Sequence, residues 1–284
     1  MPAYHRPSTL ADALDILASD PVTLAAGCTD LYPATQAKAL PGDILDITAI
    51  PDLQGISQDD AGWRIGAAVT WAEIIRHHMP PAFDGLKRAA REVGSVQIQT
   101  AGTVAGNLCT ASPAGDGAPC LMTLDAEVEL MSATGTRRLP LAAFLTGARR
   151  TARRDDELVS AIRIPARAAS GEGDFLKLGA RRYLVISIAM AAARFETKDG
   201  AITRAALAVG ACSPTAVRLT ELEKALEGAP LATAAKLVSP ATVAPHLSPI
   251  DDIRGDAGYR SEAATELVRR LILRCAEKRA EVAA

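Results

Sequence analysis

A segment of small and polar residues near the middle of the chain limits most strongly what this sequence can fold into. Residues 100–116 read TAGTVAGNLCTASPAGD and contain almost no side chain large enough to build a core. Gly102 and Gly106 let another group approach the backbone closely, so the segment can turn its N–H groups toward an anion. Its neutral hydrogen-bonding side chains include Thr103, Asn107 and Ser112. Asp116 adds one carboxylate, which is suited to accept hydrogen bonds from sugar hydroxyls. An ordinary surface turn explains many shorter stretches, but this length favours a ligand-binding loop.

A second loop of the same kind lies upstream, at residues 24–31, which read LAAGCTDL. It follows the apolar run 22–26, which predicts a short buried strand ending at Gly27. A strand that runs into a glycine turn with Thr29 and Asp30 is suited to binding a phosphate. Neither loop contains GxxxxGK followed by Ser or Thr, or GxGxxG between a strand and a helix. A kinase-like P-loop and a Rossmann dinucleotide site are therefore both disfavoured.

Four segments of the chain together resemble one known family. Residues 25–31 (AAGCTDL) are similar to the family motif A-G-G-T-(D/E)-L, and residues 97–107 (QIQTAGTVAGN) to Q-I-R-N-x-G-T-(I/V)-G-G-N. Residues 112–116 (SPAGD) match S-P-x-(S/G)-D, and residues 177–187 (KLGARRYLVIS) are similar to K-x-G-x-R followed by I-S. The chain thus resembles the FAD-binding medium subunit of the xanthine dehydrogenase / carbon monoxide dehydrogenase family of molybdenum hydroxylases. The similarity spans nearly the whole chain.

The resemblance implies that FAD is the cofactor and that both loops bind it. Backbone N–H groups of residues 24–31 and 103–107 are expected to surround the pyrophosphate without the help of a lysine. Asp116 is expected to accept hydrogen bonds from ribityl or ribose hydroxyls. The implied cofactor-binding residues are Leu24, Ala25, Ala26, Gly27, Cys28, Thr29, Asp30, Leu31, Thr103, Val104, Ala105, Gly106, Asn107, Ser112, Asp116, Leu158, Val159, Lys177 and Tyr183.

The last four of these residues are expected, from the same resemblance, to act on the isoalloxazine ring. Lys177 would lie near the N1/C2 edge of the flavin, where a cation stabilises the anionic reduced form. Leu158 and Val159 would pack against the ring. Tyr183 would stack over the ring or control the access of the electron acceptor.

The sequence departs from the family motifs at four positions. Ala26 and Ala105 stand where the motifs have glycine, and Gln99-Thr100 replaces an Arg-Asn pair. Alanine resists positive φ, so we expect Ala26 and Ala105 to have ordinary backbone angles. Loss of the arginine removes a possible ion pair. These departures leave a flavin-free scaffold subunit open as one alternative to an electron-transfer subunit. A free-standing flavoprotein oxidoreductase is a second alternative.

The five cysteines and four histidines limit the redox groups that this chain can hold. No two cysteines have C-x-x-C spacing, and the histidines form no cluster with carboxylates. We therefore expect neither an iron–sulfur cluster nor another metal site in this chain. An odd number of cysteines without a disulfide pattern favours a reduced, cytoplasmic setting. Cys28 and Cys109 lie in the glycine-containing segments, where we interpret them as packing residues.

The resemblance implies a division of labour among three chains. A large subunit with the molybdenum cofactor hydroxylates the substrate, and a small iron–sulfur subunit carries 2Fe–2S clusters. This chain, an oxidoreductase subunit, is expected to accept electrons from those clusters and pass them from FAD to NAD or another acceptor. It needs no catalytic residue of its own for this role, because the flavin carries the redox chemistry.

The charge pattern gives no sign of nucleic acid or an anionic membrane as a partner. The formal net charge is −2, and the positive charges are scattered along the chain. The densest basic cluster, Arg149-Arg150 with Arg153-Arg154, is interpreted as a solvated loop face. No stretch is apolar enough to span a bilayer, and the first five residues do not resemble a signal peptide.

The pattern of elements predicts an α+β fold with two domains. By resemblance, residues 1–167 form an FAD-binding domain of the vanillyl-alcohol oxidase / PCMH type, with α/β subdomains at about 1–58 and 59–167. Residues 168–284 form a domain of the CO dehydrogenase flavoprotein type, with a small antiparallel sheet and helices. The stretch 166–173 is the predicted linker, and Asp199-Gly200 predicts a hairpin between two long strands.

Local signals predict where several helices begin. Ser8 and Ser261 are expected to cap the first and last helices. Capping boxes are predicted at Thr70, with Glu73, and at Thr220. The region 125–131 alternates in polarity, which predicts a half-buried strand whose glutamates, including Glu129, face away from the core.

Overall fold

The computed structural model describes residues 2–35, 40 and 42–283, without the side chains of residues 282 and 283. Met1 and Ala284, the outer bounds of the two predicted domains, lie outside the described residues. The strands are β1 (Tyr4–His5), β2 (Val22–Ala25), β3 (Asp43–Asp46), β4 (Ile56–Asp59), β5 (Gly62–Gly66), β6 (Glu127–Ser132), β7 (Gly135–Pro140), β8 (Leu145–Gly147), β9 (Arg150–Thr151), β10 (Leu158–Pro165), β11 (Glu172–Leu178), β12 (Ala189–Lys198), β13 (Ala201–Gly210) and β14 (Val217–Arg218).

The helices complete an α+β fold, as predicted. They are α1 (Leu10–Ser19), α2 (Leu31–Ala34), α3 (Trp71–Arg76), α4 (Asp84–Glu92), α5 (Val96–Ala101), α6 (Val104–Thr110), α7 (Gly117–Thr123), α8 (Leu141–Phe144), α9 (Thr220–Leu226), α10 (Leu231–Ala234), α11 (Pro240–Val243) and α12 (Ala257–Ala283). None of the helices in the described ranges is long and apolar enough to cross a membrane.

A small parallel sheet, in the order β1-β3-β2, forms the first unit of the structure. Helix α1 packs against it and buries Ala13, Leu14 and Leu17, which recur on one face of the helix. Thr9 caps this helix by accepting a hydrogen bond from the N–H of Asp12, so the prediction of Ser8 as the cap is wrong. Strand β2 leads directly into the glycine loop at residues 24–31, which comes first in the chain and is called the first glycine loop below.

The second unit is a five-stranded antiparallel sheet, in the order β4-β5-β10-β6-β7. Strand β10 lies at its centre between β5 and β6. The predicted capping box before α3 is confirmed, because the Thr70 hydroxyl accepts from the Glu73 N–H and the Glu73 carboxylate accepts from the Thr70 N–H.

Glu129 of β6 lies on the face opposite to Val128 and Leu130, as predicted, but it is buried there rather than exposed to solvent. Its side chain is 7% exposed and lies 2.8 Å from the Arg138 guanidinium and 3.1 Å from that of Arg163. The Ser160 hydroxyl donates to it over 2.9 Å. Burial raises the pKa of the Glu129 carboxyl, but the hydrogen bonds from Arg163, Ser160 and Arg138 lower it further and keep the net direction downward. The alternating pattern could not show these partners, which come from β7 and β10.

The glycine-containing segment 100–116 is largely helical, which corrects its interpretation as a continuous loop. Helix α5 ends at Ala101, and α6 begins at Val104. Thr103 between them has an extended backbone, and its hydroxyl accepts from the Gly106 N–H over 3.0 Å. Threonine is a good helix N-cap, so the sequence begins a helix here despite its glycines.

The C-terminal sheet, in the order β11-β12-β13-β14, is antiparallel. The predicted hairpin between β12 and β13 is confirmed: Asp199 and Gly200 have φ of 51° and 79°, as a type I′ turn requires. Along β12, Ala191 and Ala193 face a core shared with α9 and α12, whereas Met190 contributes to the core of the preceding units. The sheet is therefore buried on both faces. The predicted linker, 166–173, is shorter than expected, because β11 already begins at Glu172.

Two helix starts in this region differ from the predictions. Glu223 makes no capping box with Thr220; it pairs with Arg218 over 2.6 Å and accepts the Leu207 N–H over 2.7 Å. Helix α12 begins at Ala257 rather than Ser261, because aspartates upstream accept the first free N–H groups of the helix. At Glu223 a contact from a distant strand replaces the local signal, whereas α12 begins earlier because nearby aspartates, among them Asp256 directly before the helix, act as its caps.

Candidate functional site

A cavity of about 1060 Å³ lies where the parallel sheet, helices α5–α7 and the C-terminal sheet meet. It is lined by most of the residues that the sequence assigns to cofactor binding. These are Leu24, Ala25, Ala26, Gly27, Cys28, Thr29, Asp30, Leu31, Thr103, Ala105, Gly106, Asn107, Ser112, Asp116, Leu158, Val159 and Lys177. Residues from all three parts of the chain therefore converge on one concave surface.

Two of the assigned residues do not line this cavity. Val104 is fully buried in the core, at the first turn of α6. Tyr183 is 62% exposed, and the guanidinium of Arg182 lies 5.1 Å from the centre of its ring. Its neighbours Leu184 and Ile186 do line the cavity. An apolar wall from the connection between β11 and β12 is thus present, but Tyr183 is not part of it.

The two glycine motifs are pressed directly against each other. A Cβ atom placed on Gly27 would lie 1.9 Å from the Ala101 carbonyl oxygen and 2.8 Å from the Gly102 Cα. A Cβ on Gly102 would lie 3.1 Å from the Thr29 hydroxyl. Only glycine at position 27 allows this backbone contact. The contact fixes the first loop against the start of the segment that carries α6.

Several backbone N–H groups at this junction are available to a ligand. No backbone carbonyl in the described part of the chain accepts from the N–H groups of Gly27, Cys28, Thr29, Asp30 or Ala105, all of which line the cavity. Buried or half-buried N–H groups normally have an acceptor. Backbone donors gathered in this way suit an anion such as a pyrophosphate.

Ala26 and Ala105 fit this geometry. Neither Ala26 nor Ala105 has a positive φ, as expected, and Ala105 lies within the first turn of α6. Gln99 and Thr100, which replace the Arg-Asn pair, lie on α5 and do not line the cavity. The Gln99 side chain donates to the Arg91 carbonyl, and the Thr100 hydroxyl to the Val96 carbonyl. The departures from the motifs therefore leave the lining of the cavity intact.

Asn107 provides a direct test of whether a cofactor fits here. Its backbone belongs to α6, and its side-chain Oδ1 is buried without a hydrogen-bond partner among the described residues. An unpaired buried oxygen is costly, and this one lies in the wall of the cavity. Cβ atoms placed on Gly115 or Gly117 would each come within 3.2 Å of it. A bound ligand with a donor group would satisfy the oxygen, so the site fits a polar cofactor.

Asp116 and Lys177 form a buried ion pair at one wall of the cavity. Their side chains are each 7% exposed, and the ammonium lies 2.7 Å from Oδ2. The Ser187 hydroxyl donates to Oδ1 over 2.7 Å. Burial raises the pKa of the Asp116 carboxyl, and the Lys177 ammonium opposes that rise. Both carboxylate oxygens have protein partners, so Asp116 also ties the C-terminal sheet to α7.

Two arginines of the cluster that was interpreted as a solvated loop face, Arg149 and Arg153, also line the cavity, although the Arg149 side chain is 58% exposed. The Arg149 guanidinium lies 2.6 Å from the Asp30 carboxylate in the first glycine loop. The Arg153 guanidinium donates to the carbonyls of Arg154 and Glu157 over 2.9 and 2.8 Å. No carboxylate of the described residues lies within 4.0 Å of it. The density of arginine was the one sequence signal that marked this wall.

The Glu157 carboxylate stabilises the turn that carries Arg153. It is buried and lies 2.6 Å from the Arg137 guanidinium. It also accepts the Arg154 N–H over 2.8 Å. The hydrogen bonds from Arg137 lower the pKa of the Glu157 carboxyl, and burial opposes them. Glu157 therefore stabilises the turn without pairing with Arg153, and the Arg153 guanidinium is available to a ligand in the cavity.

Two of the five cysteines open onto the cavity. Cys28 is half-buried and has a φ of 56°, and Cys109 on α6 is exposed to the cavity. Burial raises the pKa of the Cys28 thiol. The thiols of Cys120, Cys212 and Cys275 are buried in the cores. Neutral thiols at the cavity wall agree with a packing role.

Comparisons with known proteins identify the chain. Residues 1–167 match the family described as the FAD binding domain in molybdopterin dehydrogenase. Residues 174–275 match the CO dehydrogenase flavoprotein C-terminal domain. The chain belongs to the flavoprotein family of molybdopterin dehydrogenases. FAD is its cofactor, and the chain is the flavoprotein component of an oxidoreductase.

Individual members of this family are similar to the chain over most of its length. The xanthine dehydrogenase FAD-binding subunit of Escherichia coli O157:H7 is 32% identical over 81% of this chain and 80% of its own. The nicotine 6-hydroxylase medium subunit of Paenarthrobacter nicotinovorans is 30% identical over 95% of both chains. The structure of reconstituted CO dehydrogenase from Oligotropha carboxidovorans contains a chain that superposes with a TM-score of 0.90, at 28% identity over 98% of each chain.

Proposed function

We propose that this chain accepts electrons from 2Fe–2S clusters of a small partner subunit and passes them to NAD or another acceptor. A large subunit with a molybdenum cofactor would supply those electrons by hydroxylating the substrate. When bound, FAD supplies the redox chemistry, and the protein supplies binding, orientation and tuning. The observation that carries the proposal is the junction of Gly27 with Ala101 and Gly102, which gathers unpaired backbone donors in one cavity.

The binding part of this role follows from the chain's own groups. N–H groups of Gly27, Cys28, Thr29 and Ala105 would donate to the pyrophosphate oxygens, and Arg153 would add a positive charge without a carboxylate nearby. Asn107 Oδ1 would accept from a hydroxyl or ring N–H of the cofactor. These groups are provided by three separate segments, so binding also depends on their relative positions.

The tuning part of the role involves the wall formed by β10 and β11. Leu158 and Val159 line the cavity and are buried, so they would pack on the flavin ring and exclude water from it. Lys177 would place a cation near the ring, where it favours the reduced anionic form. Because Asp116 lies 2.7 Å from that ammonium, the carboxylate offsets part of the charge. We therefore propose that the pair, rather than Lys177 alone, sets the reduction potential.

The partner part of the role rests on what the described residues lack and on the relatives. No group of three or more His, Cys, Asp or Glu in the described ranges could hold a metal ion. Clusters that feed electrons to this chain would therefore belong to another subunit. The relatives are named as FAD-binding or medium subunits of dehydrogenases and hydroxylases, which agrees with a place in a larger complex.

Co-purification with the two partner subunits encoded in the same organism tests this proposal. We expect the flavin absorbance of the complex to bleach when the hydroxylation substrate is added, and to recover when NAD is then added. The chain alone should not bleach with the substrate. A complex whose iron–sulfur clusters are reduced while the flavin stays oxidised would contradict the proposal. Reduction of the isolated chain by the substrate would favour a free-standing oxidoreductase instead.

A further inference from the structure

A second cavity, of about 470 Å³, lies beside the flavin cavity and has a strongly basic lining. Its volume is in the range of small-molecule sites. The whole chain has a formal net charge of −2, so this concentration of positive charge is local. The cationic residues that line it are Arg88, Arg91, Lys177, Arg181, Arg182 and Arg274, and the one lining carboxylate among the described residues is that of Glu92.

Three of these arginines carry charge that no neighbouring carboxylate offsets. No Asp or Glu of the described residues lies within 4.0 Å of the guanidinium of Arg91, Arg181 or Arg182. Arg91 donates to the Lys87 carbonyl over 3.2 Å, and Arg181 donates to the Tyr183 carbonyl over 3.0 Å. Carbonyl oxygens hold these side chains in place without neutralising them.

The remaining arginines are only half neutralised. Arg88 and Arg274 come from α4 and α12, and both contact the same carboxylate, that of Asp174, at 3.0 and 3.2 Å. A concave surface lined by charges of one sign strengthens the local field and attracts counter-ions. Guanidinium groups are suited to phosphate because they donate two parallel hydrogen bonds to its oxygens.

The second cavity lies next to the flavin cavity, and the two cavities share lining residues. Glu92, Lys177 and Val185 line both cavities. The segment that contains Arg181 and Arg182 belongs to the second cavity, and the following residues, Leu184 and Ile186, belong to the first. A ligand held by the arginines would therefore lie next to a wall of the flavin cavity.

We propose that the second cavity binds the phosphate groups of a nucleotide, with Arg91, Arg181 and Arg182 as the principal contacts. The proposal extends the proposed function by giving a binding site for the electron acceptor. Only the role of the bound nucleotide as an acceptor rests on the proposed function; the binding itself does not. The phosphate could belong to a dinucleotide electron acceptor or to a free mononucleotide. The chemistry that recognises it is the same in both cases.

Isothermal titration of the FAD-loaded chain with pyrophosphate, AMP and NAD tests the proposal. The variant Arg91→Gln/Arg182→Gln removes two exposed guanidinium groups of the cavity, and Arg76→Gln removes an exposed arginine that lines neither cavity. We expect pyrophosphate to bind the double variant at least about tenfold more weakly than the parent. We expect Arg76→Gln to bind as the parent does, and added salt to weaken binding to both.

The probes separate the sources of the phosphate. Tighter binding of NAD than of pyrophosphate and AMP would identify a dinucleotide, and equal binding of AMP and NAD would identify a mononucleotide site. Absence of saturable binding to the parent, or equal binding to the double variant and Arg76→Gln, would overturn the proposal. FAD content is read from the absorbance of each sample. If the chain holds no FAD but still binds pyrophosphate through these arginines, then the proposed function has failed while the phosphate site stands.

Discussion

Gly27→Ala is expected to disrupt the FAD site from within the first glycine loop. The added Cβ would lie 1.9 Å from the Ala101 carbonyl oxygen, whereas ordinary contact begins at 3.4 Å. The loop must therefore move away from the second motif by about 1.5 Å. A backbone shift of that size moves the N–H groups of Cys28 and Thr29 out of hydrogen-bonding distance of a pyrophosphate held at the second motif.

The size of the effect follows from the hydrogen bonds lost. A hydrogen bond to a charged group contributes about 1.5 kcal/mol or more, so loss of two is expected to weaken FAD binding about 100-fold. Gly102→Ala should have a smaller effect, because its Cβ would meet the Thr29 hydroxyl at 3.1 Å and the Ile98 carbonyl at 2.9 Å. These contacts need shifts of only a few tenths of an ångström.

FAD titration, followed by quenching of flavin fluorescence, measures the dissociation constants of the series. Gly147→Ala is the matched control, since its Cβ would meet nothing closer than 3.8 Å. The melting temperature of each flavin-free variant separates loss of binding from loss of folding. If Gly27→Ala bound FAD as tightly as Gly147→Ala while both stayed folded, the loop junction would not be part of the FAD site.

Three further predictions concern buried groups and the cavity wall. Asp116→Asn leaves the Lys177 ammonium buried without its partner and should lower the free energy of unfolding by about 3 kcal/mol. Urea denaturation measures this loss, and the double variant Asp116→Asn/Lys177→Met should recover part of it. No recovery would refute the pairing. Glu157 has a lowered pKa, so its stabilisation is present above its ordinary value of 4.5 and is lost as pH falls through the lower folded-state value. Glu157→Gln should therefore flatten the fall in the free energy of unfolding below about pH 4.5, and an unchanged slope would contradict this. Finally, N-ethylmaleimide should label Cys28 and Cys109 only in the flavin-free chain, and peptide mass analysis showing equal labelling with FAD would place the cofactor elsewhere.

Features encoded by neighbouring residues could be predicted from the sequence. The Asp199-Gly200 turn follows from residues that adopt positive φ, and the capping box of Thr70 and Glu73 follows from their spacing. The glycine motifs also indicated the residues that line the flavin cavity, because two backbone segments can come into close contact only where glycine leaves room. Gly27 is such a position.

Features that depend on distant parts of the chain could not be predicted in the same way. The burial of Glu129 could not be predicted, although its side of the strand was, because its arginine partners come from other strands. Arg149 and Arg153 were interpreted as solvated, since nothing local shows that their turn faces the first glycine loop. The helical start at Thr103 was missed because the glycines that follow it usually indicate loops, and here the threonine cap and the packing of Val104 outweigh them.

The visible absorption spectrum of the purified chain, with the released chromophore identified by mass, tests the central claim most directly. The geometry of the loops and of Asn107 predicts a flavin spectrum with one FAD per chain, either as isolated or after addition of FAD. A colourless protein that also fails to take up added FAD would contradict the claim that this chain forms a complete FAD site. It would favour a scaffold role, or a site that is completed only by the partner subunits.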